Sequence, residues 1–252
     1  MQRIDLLLVE KGLARSRTQA QNLIKDRRVE INEKGSWQLA TKPGLKVSPS
    51  AEFKIEHDPA DQFVSRGALK LLGALSKLEI ELSGKSAIDV GQSTGGFTDC
   101  LIQNGAKQVV GIEVGHDQLA PKLREDPRVI CYEGMNAREL PDDQLLAHTQ
   151  GTGFDIAVMD VSFISQTKIL PSLIPLIAHG GYLITLVKPQ FEVGKAGIGR
   201  GGIVRDESLY PKVKEQVSHC CETLALNIVD YFESPIKGGD GNREFLLIAQ
   251  KK

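Results

Sequence analysis

From residue 87 onward, short apolar runs alternate with segments of helical periodicity, and this alternation limits the fold more than any other feature of the chain. The runs comprise residues 87–90, 109–112, 129–131, 156–159 and 182–187. Parallel strands need a crossover connection, usually a helix, so the alternation predicts a parallel sheet with helices on both faces. Two later runs, 226–232 and 244–249, predict a final antiparallel pair. The sequence therefore predicts an α/β fold with a mostly parallel sheet.

The first 57 residues predict short helices followed by short strands. An apolar stripe at helical spacing predicts a helix over residues 3–12. Ser16 and Gln19 have the spacing of a capping box, in which each side chain bonds the other residue's backbone amide, and they predict a helix over residues 16–28. Its Arg17, Gln21, Lys25 and Arg28 fall on a stripe that we expect to face solvent. Strands are expected near residues 29–31 and 53–55, with turns at Lys34-Gly35 and Pro43-Gly44.

Basic side chains are concentrated in this N-terminal part. Residues 1–57 contain 11 Lys and Arg against 7 Asp and Glu, a net charge of +4, although the whole chain has a net charge of -1. Such a distribution favours an appended nucleic-acid-binding module, but a solvated basic surface explains the charge equally well. Residues 58–64 are polar and contain a proline, as linkers do. We therefore predict a small α+β domain over 1–57, a linker over 58–64 and an α/β domain over 65–252.

Composition excludes several classes of protein. Of the 252 residues, 41% are hydrophobic and 25% are charged, an ordinary globular mixture. No run approaches the roughly 18 apolar residues of a membrane span, and the N-terminus is unlike a signal peptide. The four cysteines form no CxxC pair and have no histidine at metal-ligand spacing. We expect a cytoplasmic protein with no disulfide framework, no metal site and no membrane partner.

A glycine-rich segment follows the first strand of the predicted sheet, where open parallel sheets bind their ligands. Three kinds of site are candidates for Gly91-Gln92-Ser93-Thr94-Gly95. A dinucleotide site expects glycine where Ser93 stands, and a hydrolase nucleophile elbow matches the GxSxG letters but lacks a histidine in an obvious triad order. A nucleoside-type ligand without pyrophosphate needs an acid at the end of the next strand. Glu113, 22 residues after Gly91, meets that need and favours the third reading.

Part of the N-terminal domain resembles the RNA-binding domain family named after small-subunit ribosomal protein four. The resemblance is carried by Arg3-Ile4-Asp5-x-x-Leu8-Val9, Ala14-Arg15-Ser16-Arg17-x-x-Ala20-x-x-Leu23-Ile24 and Val29-x-Ile31-Asn32. It implies that Arg15, Arg17 and the helix they begin contact RNA phosphates, which position an RNA without reading its bases. The candidate RNA-contact residues of the chain are Arg3, Arg15, Ser16, Arg17, Lys25, Arg28 and Arg66.

The glycine-rich segment and its surroundings resemble the TlyA family, whose members methylate the 2′-oxygen of cytidine in ribosomal RNA and are sometimes labelled haemolysins. The resemblance is carried by residues 64–71, 89–101, 160–165, 187–192 and 241–246. It implies an FtsJ-type, Rossmann-like class I methyltransferase domain with a seven-stranded sheet and S-adenosylmethionine as cofactor. Gln92 and Glu113 stand where the family usually has alanine and aspartate; both leave the turn and the ribose acceptor chemically possible.

The resemblance also implies the site residues. Cofactor contacts fall on Asp89, Gly91, Ser93, Thr94, Gly95, Gly96, Phe97, Glu113, Asn136 and Asp160. The catalytic set falls on Lys70, Asp160, Lys188 and Glu244. The residues alone favour Asp160 and Lys188, because each follows an apolar strand at the carboxyl edge of the sheet. Periodicity places Lys70 on the outer face of a helix predicted over residues 65–78, and without the family both Lys70 and Glu244 would be taken as surface charges.

The reaction requires in-line attack of a ribose hydroxyl on a sulfonium methyl group, so it needs positioning and an acceptor for a weakly acidic proton. We hypothesise that Lys188 abstracts or orients this proton while Lys70, Asp160 and Glu244 fix its geometry. The chain resembles the shorter form of the family, which suggests large-subunit RNA as the target. A non-catalytic RNA-binding assembly factor and a membrane-lytic protein are the alternatives, although no exposed amphipathic or apolar segment supports the second.

Overall fold

The computed structural model describes residues 1–32, 35–78, 80–239 and 241–252. It divides into two compact units, Met1–Pro59 and Ala60–Lys252. The division lies inside the predicted linker, because residues 60–64 belong to the larger unit. Phe63 is buried in the core of that unit, and Val64 N donates a hydrogen bond to Asp99 Oδ2 at 2.7 Å. The local polarity of the segment did not indicate this anchoring, which comes from a side chain 35 residues away.

The small unit packs helices against short antiparallel strands. Its elements are β1 (Gln2–Arg3), α1 (Ile4–Glu10), α2 (Arg17–Lys25), β2 (Val29–Asn32), β3 (Trp37–Leu39), β4 (Lys46–Val47) and β5 (Glu52–Ile55). β2 lies between β3 and β5 in one sheet, and β1 pairs with β4. The apolar faces of both helices meet β2 in a single core that includes Leu8, Leu23 and Val29. Lys34, in one of the predicted turns, lies outside the described residues.

The start of α2 follows the predicted capping box only in part. Ser16 Oγ accepts a hydrogen bond from Gln19 N at 3.2 Å, as predicted. The Gln19 side chain, however, accepts from the backbone amide of Arg15 at 2.6 Å instead of that of Ser16. The helix also ends at Lys25, earlier than expected, because Arg27 takes a left-handed backbone conformation with φ 59°.

A buried carboxylate joins α1 to α2. Asp5 accepts hydrogen bonds from Arg3 Nε and Nη2, both at 2.9 Å, from Arg17 Nε at 3.0 Å and from Gln21 Nε2 at 2.9 Å. Its side chain is fully buried, and the Arg3 guanidinium holds the pKa of the Asp5 carboxyl well below its usual range. Arg17 and Gln21, which periodicity placed on a solvent-facing stripe, therefore turn toward α1.

The larger unit is built on a mostly parallel sheet whose strands coincide with the apolar runs of the sequence. The strands are β6 (Ser86–Val90), β7 (Gln108–Glu113), β8 (Val129–Glu133), β9 (Phe154–Met159), β10 (Ile177–Val187), β11 (Leu226–Glu233) and β12 (Phe245–Lys251). Within the described residues the order is β11-β12-β10-β9-β6-β7-β8, and only β12 runs antiparallel to its neighbours. The predicted α/β fold with a seven-stranded sheet is confirmed.

Helices cover both faces of this sheet. They are α3 (Ala68–Leu75), α4 (Gly96–Gln103), α5 (Pro121–Arg124), α6 (Asp142–Leu146), α7 (Leu170–Leu173), α8 (Pro189–Glu192) and α9 (Leu209–Thr223). Alternate strand residues contribute to separate cores, with Ile88 and Val110 in one and Ala87 and Val109 in the other. Among the described helices, none is both long and apolar enough to cross a membrane.

The strand order fixes where a ligand can bind. The chain runs from β6 outward through β7 to β8 and then returns to β9 on the other side of β6. The connections that follow β6 and β9 therefore diverge to opposite sides, which opens a crevice at the carboxyl ends of these strands. The glycine-rich turn after β6 and Asp160 after β9 both lie at this crevice.

We expect Asp5 to make the stability of the small unit depend on pH. A carboxylate with a depressed pKa stabilises the fold above its unfolded pKa of about 4, and this contribution is lost as the pH falls. Asp5→Asn should lower the free energy of unfolding at pH 7 by about 1–3 kcal/mol, because it removes the buried anion that accepts from Arg3, Arg17 and Gln21. Trp37, the single tryptophan of the chain, lies in this unit, so its fluorescence during urea denaturation reports on it.

The exposed Asp26, at the end of α2, provides the matched control. Asp26→Asn should leave both the stability and its acid dependence close to those of the wild type. An Asp5→Asn variant that loses stability below pH 4 as steeply as the wild type would contradict the assignment.

Candidate active site at the carboxyl edge of the sheet

The glycine-rich turn brings β6 against the end of β9. Gly91 has φ 82°, and a Cβ at this position would collide with the backbone oxygen of Asp160. A Cβ on Gly95 would collide with the side chains of Leu119 and Leu123, and one on Gly96 with Ser65 Oγ. The three glycines therefore permit close approach on both sides of the turn. Gly91 packs against the end of β9, whereas Gly95 and Gly96 pack the start of α4 against its neighbours.

Glu113 closes the turn from the end of β7. Its Oε2 accepts from Ser93 N and its Oε1 accepts from Gly115 N, each at 2.8 Å. Each carboxylate oxygen has a second lone pair, so Glu113 can hold the turn and still accept hydrogen bonds from ribose hydroxyls. Glutamate is longer than the aspartate that is usual in the family, and the two backbone amides hold its carboxylate beside the turn.

A buried polar layer lies under the turn. Thr98 Oγ1 donates to Asp89 Oδ2 at 2.6 Å, and Gln92 Nε2 donates to Thr98 Oγ1 at 2.9 Å. Burial raises the pKa of the Asp89 carboxyl to about 7, although the Thr98 hydrogen bond opposes the rise. The Gln92 side chain fits because residue 111 on β7 is glycine: a Cβ there would collide with the Gln92 amide group. The Gln92 side chain is therefore held in this buried layer, although the residue also lines the smaller of the two cavities described next.

Two cavities meet beside the turn. The larger, of about 450 Å³, has apolar walls that include Ile112, Met135 and Val161, together with Glu113 and Asn136. The smaller, of about 210 Å³, is lined by polar groups that include Ser65, Thr94 and Lys188. Gly91, Ser93, Asp160 and Ser162 line both. Apolar walls with an acid and an amide suit an adenosine, and the polar cavity suits a charged amino-acid group, so the residues present fit S-adenosylmethionine.

The catalytic candidates form a chain of alternating charges. Lys188 Nζ lies 2.5 Å from Asp160 Oδ1, Lys70 Nζ lies 3.7 Å from Asp160 Oδ2, and Lys70 Nζ lies 2.7 Å from Glu244 Oε2. Lys188 and Asp160 reach the smaller cavity, whereas Lys70 and Glu244 lie behind them and are buried. The prediction that Lys70 lies on an outer helix face was wrong, because Glu244 at the start of β12 provides an inward partner that local periodicity does not reveal.

Ser162 and Phe163, which follow Asp160, were not predicted as site residues from the sequence. Ser162 Oγ accepts a hydrogen bond from Lys188 Nζ at 2.9 Å and lies where the two cavities meet. Phe163 lines the larger cavity with its side chain 91% exposed and its backbone in the left-handed region at φ 65°. Such a conformation is unfavourable for a bulky residue, and strain of this kind concentrates at functional sites. The only sequence signal was their position in the segment that follows Asp160.

The hydrolase interpretation of Ser93 finds no support in the geometry. Ser93 Oγ donates to Gln118 Oε1 at 3.1 Å, and in the described part of the chain no hydrogen bond links Ser93 to a histidine. Its backbone has φ 48° and its amide is held by Glu113. Ser93 therefore belongs to the ligand turn and has no base to activate it as a nucleophile.

Most of the candidate cofactor residues line the two cavities, and two of them do not. Gly91, Ser93, Thr94, Gly96, Phe97, Glu113, Asn136 and Asp160 line the cavities. Asp89 is buried under the turn, and Gly95 packs against leucines instead of lining either cavity. Their positions suit support of the turn more than direct contact with a ligand.

Some of the candidate RNA-contact residues use their side chains within the fold, although Ser16 and Arg17 remain exposed. Arg3 and Arg17 are bonded to Asp5, and Arg28 Nε donates to Glu56 O at 2.9 Å. Ser16 uses its hydroxyl to cap α2. The remaining candidates, Arg15, Lys25 and Arg66, are exposed at the surfaces of their units.

Comparison with known families follows the same division of the chain. The sequence profile of the FtsJ-like methyltransferase family matches residues 63–251. The chain belongs to this family. The profile of the S4 domain matches residues 2–53. The predicted methyltransferase class is confirmed, and with it S-adenosylmethionine, the cofactor of FtsJ-like methyltransferases.

Individual relatives extend over both units. The 16S/23S rRNA (cytidine-2′-O)-methyltransferase TlyA of Mycobacterium tuberculosis is 41% identical over 245 residues, which cover 97% of this chain and 88% of that protein. The 23S rRNA (cytidine-2′-O)-methyltransferase TlyA of Campylobacter jejuni is 34% identical over 185 residues, which cover 73% of this chain and 69% of that protein. A solved structure named as a hemolysin, from Streptococcus thermophilus, has a TM-score of 0.75 and 39% identity, and covers 100% of this chain and 88% of that one. The predicted resemblance to the TlyA family is confirmed.

We expect Gln92 and Gly111 to be energetically coupled. Gly111→Ala should lower the free energy of unfolding of the larger unit by about 1–3 kcal/mol, because the new methyl group displaces the buried Gln92 amide from Thr98. Adding Gln92→Ala should recover most of this loss, since the methyl group then has space. The measurement is urea denaturation followed by circular dichroism. The single variant Gln92→Ala completes the double-mutant cycle, and strictly additive effects would contradict the contact.

Proposed function

We propose that this protein transfers a methyl group from S-adenosylmethionine to the 2′-hydroxyl of a cytidine in ribosomal RNA, with large-subunit RNA as the principal target. The observation that carries the proposal is the Lys188–Asp160–Lys70–Glu244 ion-pair chain, in which Lys188 lines the smaller cavity and Asp160 lines both. Neither a dinucleotide site nor a hydrolase site uses this arrangement. The names of the mycobacterial and Campylobacter relatives support cytidine 2′-oxygen as the acceptor.

Bound S-adenosylmethionine supplies an electrophilic methyl group on a sulfonium. Lys188 is the residue that we assign to the acceptor hydroxyl, because its ammonium group is one of the charged groups that reach the smaller cavity. In its neutral amine form Lys188 orients the hydroxyl oxygen toward the methyl group and takes up the hydroxyl proton as the C–O bond forms and the methyl–sulfur bond breaks. Lys188 Nζ pairs with Asp160 and donates to Ser162, so its remaining position, a lone pair in the neutral amine, is left for the ribose hydroxyl.

Lys70 and Glu244 act behind this pair as positioning residues. Glu244 neutralises Lys70, and Lys70 lies beside the Asp160 oxygen that does not contact Lys188. Asp160 is thereby held between two cations, which limits its side chain to one orientation. Loss of one member from a buried set of charges leaves its partner uncompensated, so substitutions at Lys70 or Glu244 should impair turnover although neither lines the cavities.

The RNA side of the site also agrees with a single nucleotide as acceptor. Phe163 offers an exposed aromatic ring beside the larger cavity, and enzymes that act on one nucleotide commonly stack its unpaired base on such a ring. The S4 domain provides basic side chains that can bind the RNA backbone. We place the reaction in the cytoplasm, with ribosomal RNA or ribosomal subunits as the partner.

The deciding experiment incubates purified protein with unmodified ribosomal subunits and methyl-labelled S-adenosylmethionine, and then maps label that resists alkaline hydrolysis of the RNA. We expect label on a cytidine of the large subunit. Lys188→Ala should reduce the rate by at least about 100-fold, a typical loss for a group that handles the transferred proton. Lys107→Ala is the matched control, because this exposed lysine directly precedes β7 at the opposite edge of the sheet.

Each alternative outcome contradicts a stated part of the proposal. Label on the small subunit alone contradicts the principal target, and alkali-sensitive label contradicts the 2′-oxygen as acceptor. A wild-type rate for Lys188→Ala contradicts the assigned role of this residue. No label in either subunit favours an RNA-binding assembly factor, and release of haemoglobin from red cells by the purified protein would favour the lytic function.

Ser162 should affect turnover more than binding. Ser162→Ala removes one hydrogen bond to Lys188, which corresponds to about a tenfold lower kcat if the bond contributes about 1.4 kcal/mol to the transition state. The KM for S-adenosylmethionine should change little, and Ser162→Thr should restore most of the rate because it keeps the hydroxyl. Equal losses in the alanine and threonine variants would indicate a packing effect instead.

A further inference from the structure

The end of α2 has the hydrogen bonds of a Schellman motif. Arg28 N donates to Leu23 O at 3.0 Å, and Arg27 N donates to Ile24 O at 3.1 Å. The left-handed residue of this motif is usually glycine, because a Cβ is unfavourable there. In this chain that residue is Arg27, with φ 59°. An arginine therefore occupies a position at which the backbone favours glycine.

The surroundings of Arg27 do not explain this choice within the fold. Its side chain is exposed, and in the part of the chain that the structure describes no ion pair or side-chain hydrogen bond involves it. Lys25, two residues earlier, is exposed as well. Arg28, in contrast, donates Nε and Nη2 to Glu56 O at 2.9 and 2.5 Å. These bonds of Arg28 hold the backbone beside Arg27, and the Arg27 side chain is exposed to solvent.

We propose that Arg27, with Lys25, contacts a backbone phosphate of the RNA at the C-terminal end of α2. The inference rests on RNA being the substrate, and it adds Arg27 to the candidate contacts Arg15 at the start of α2 and Lys25 at its end. α2 has nine residues, so its ends lie about 14 Å apart. Contacts at Arg15 and at Arg27 therefore engage different phosphates, and together they orient the RNA along the helix.

A stabilising effect on the helix is the competing explanation, because a cation near the C-terminus interacts favourably with the helix dipole. The two explanations predict opposite results for Arg27→Gly. If Arg27 serves the helix, glycine lowers the stability of the small unit and leaves RNA affinity unchanged. If Arg27 serves RNA, glycine relieves the backbone strain and keeps or raises stability, but it weakens RNA binding.

The experiment measures binding of the full chain to labelled, unmodified large-subunit RNA between 0.1 and 1 M salt. Loss of one phosphate contact should reduce the salt slope by about 0.7–0.9, which corresponds to an affinity about five- to eightfold lower at 0.1 M relative to 1 M salt. Arg27→Gly should show this loss, and Arg27→Lys, which keeps the charge in the same conformation, should not. Trp37 fluorescence during urea denaturation should give an unchanged or higher midpoint for Arg27→Gly.

Two variants in the other unit serve as controls. Ala225→Gly relieves a left-handed residue, with φ 61°, after α9 without changing charge, and Lys107→Ala removes an exposed charge. Neither should alter the salt slope. An Arg27→Gly variant with the wild-type slope, or an Arg27→Lys variant as weak as the glycine variant, overturns the inference. The binding assay does not depend on methyl transfer. Wild-type protein that binds RNA in this assay but gives no label in the methylation experiment therefore overturns the proposed function and not the inference about Arg27.

Discussion

The site depends on the ion pairs of the Asp160 carboxylate, which contacts Lys188 on the cavity side and Lys70 on the interior side. Its backbone is equally constrained: Asp160 N donates to Val90 O at 3.0 Å, and its carbonyl leaves no space for a side chain on Gly91. One residue thus couples the ends of two adjacent strands to two lysines. A shift of the glycine-rich turn would move the candidate cofactor crevice and Lys188 together.

The sequence predicted the sheet well because burial on both faces leaves a strong local signal. A central parallel strand must be apolar throughout, so every predicted run coincided with a strand of β6 to β12. The polarity of residues 58–64 did not reveal that Phe63 and Val64 are held by residues later in the chain.

The four candidate catalytic residues show which features cannot be predicted from the local sequence. Asp160 and Lys188 could be inferred from residues alone because each follows a buried strand. Lys70 and Glu244 could not, because their burial depends on pairing with each other, and a lysine in a helix is ordinarily exposed. Only resemblance to a family placed them. Ser162 and Phe163 needed the structure, since neither a hydrogen bond to Lys188 nor a left-handed phenylalanine has a sequence signature.

The two lysines and two carboxylates balance in charge, and this balance has a consequence for the reaction. A site with excess negative charge would bind a cationic sulfonium tightly before reaction and so would gain less in the transition state, where that charge is being lost. Under the proposed function, a balanced set instead serves to position the acceptor oxygen, and folding contributes the free energy that holds the charged groups in place. Removing one charged member therefore alters both the orientation of Lys188 and the net field at the sulfonium. Substitutions that conserve shape but remove charge should accordingly be more damaging to turnover than their effect on cofactor affinity suggests.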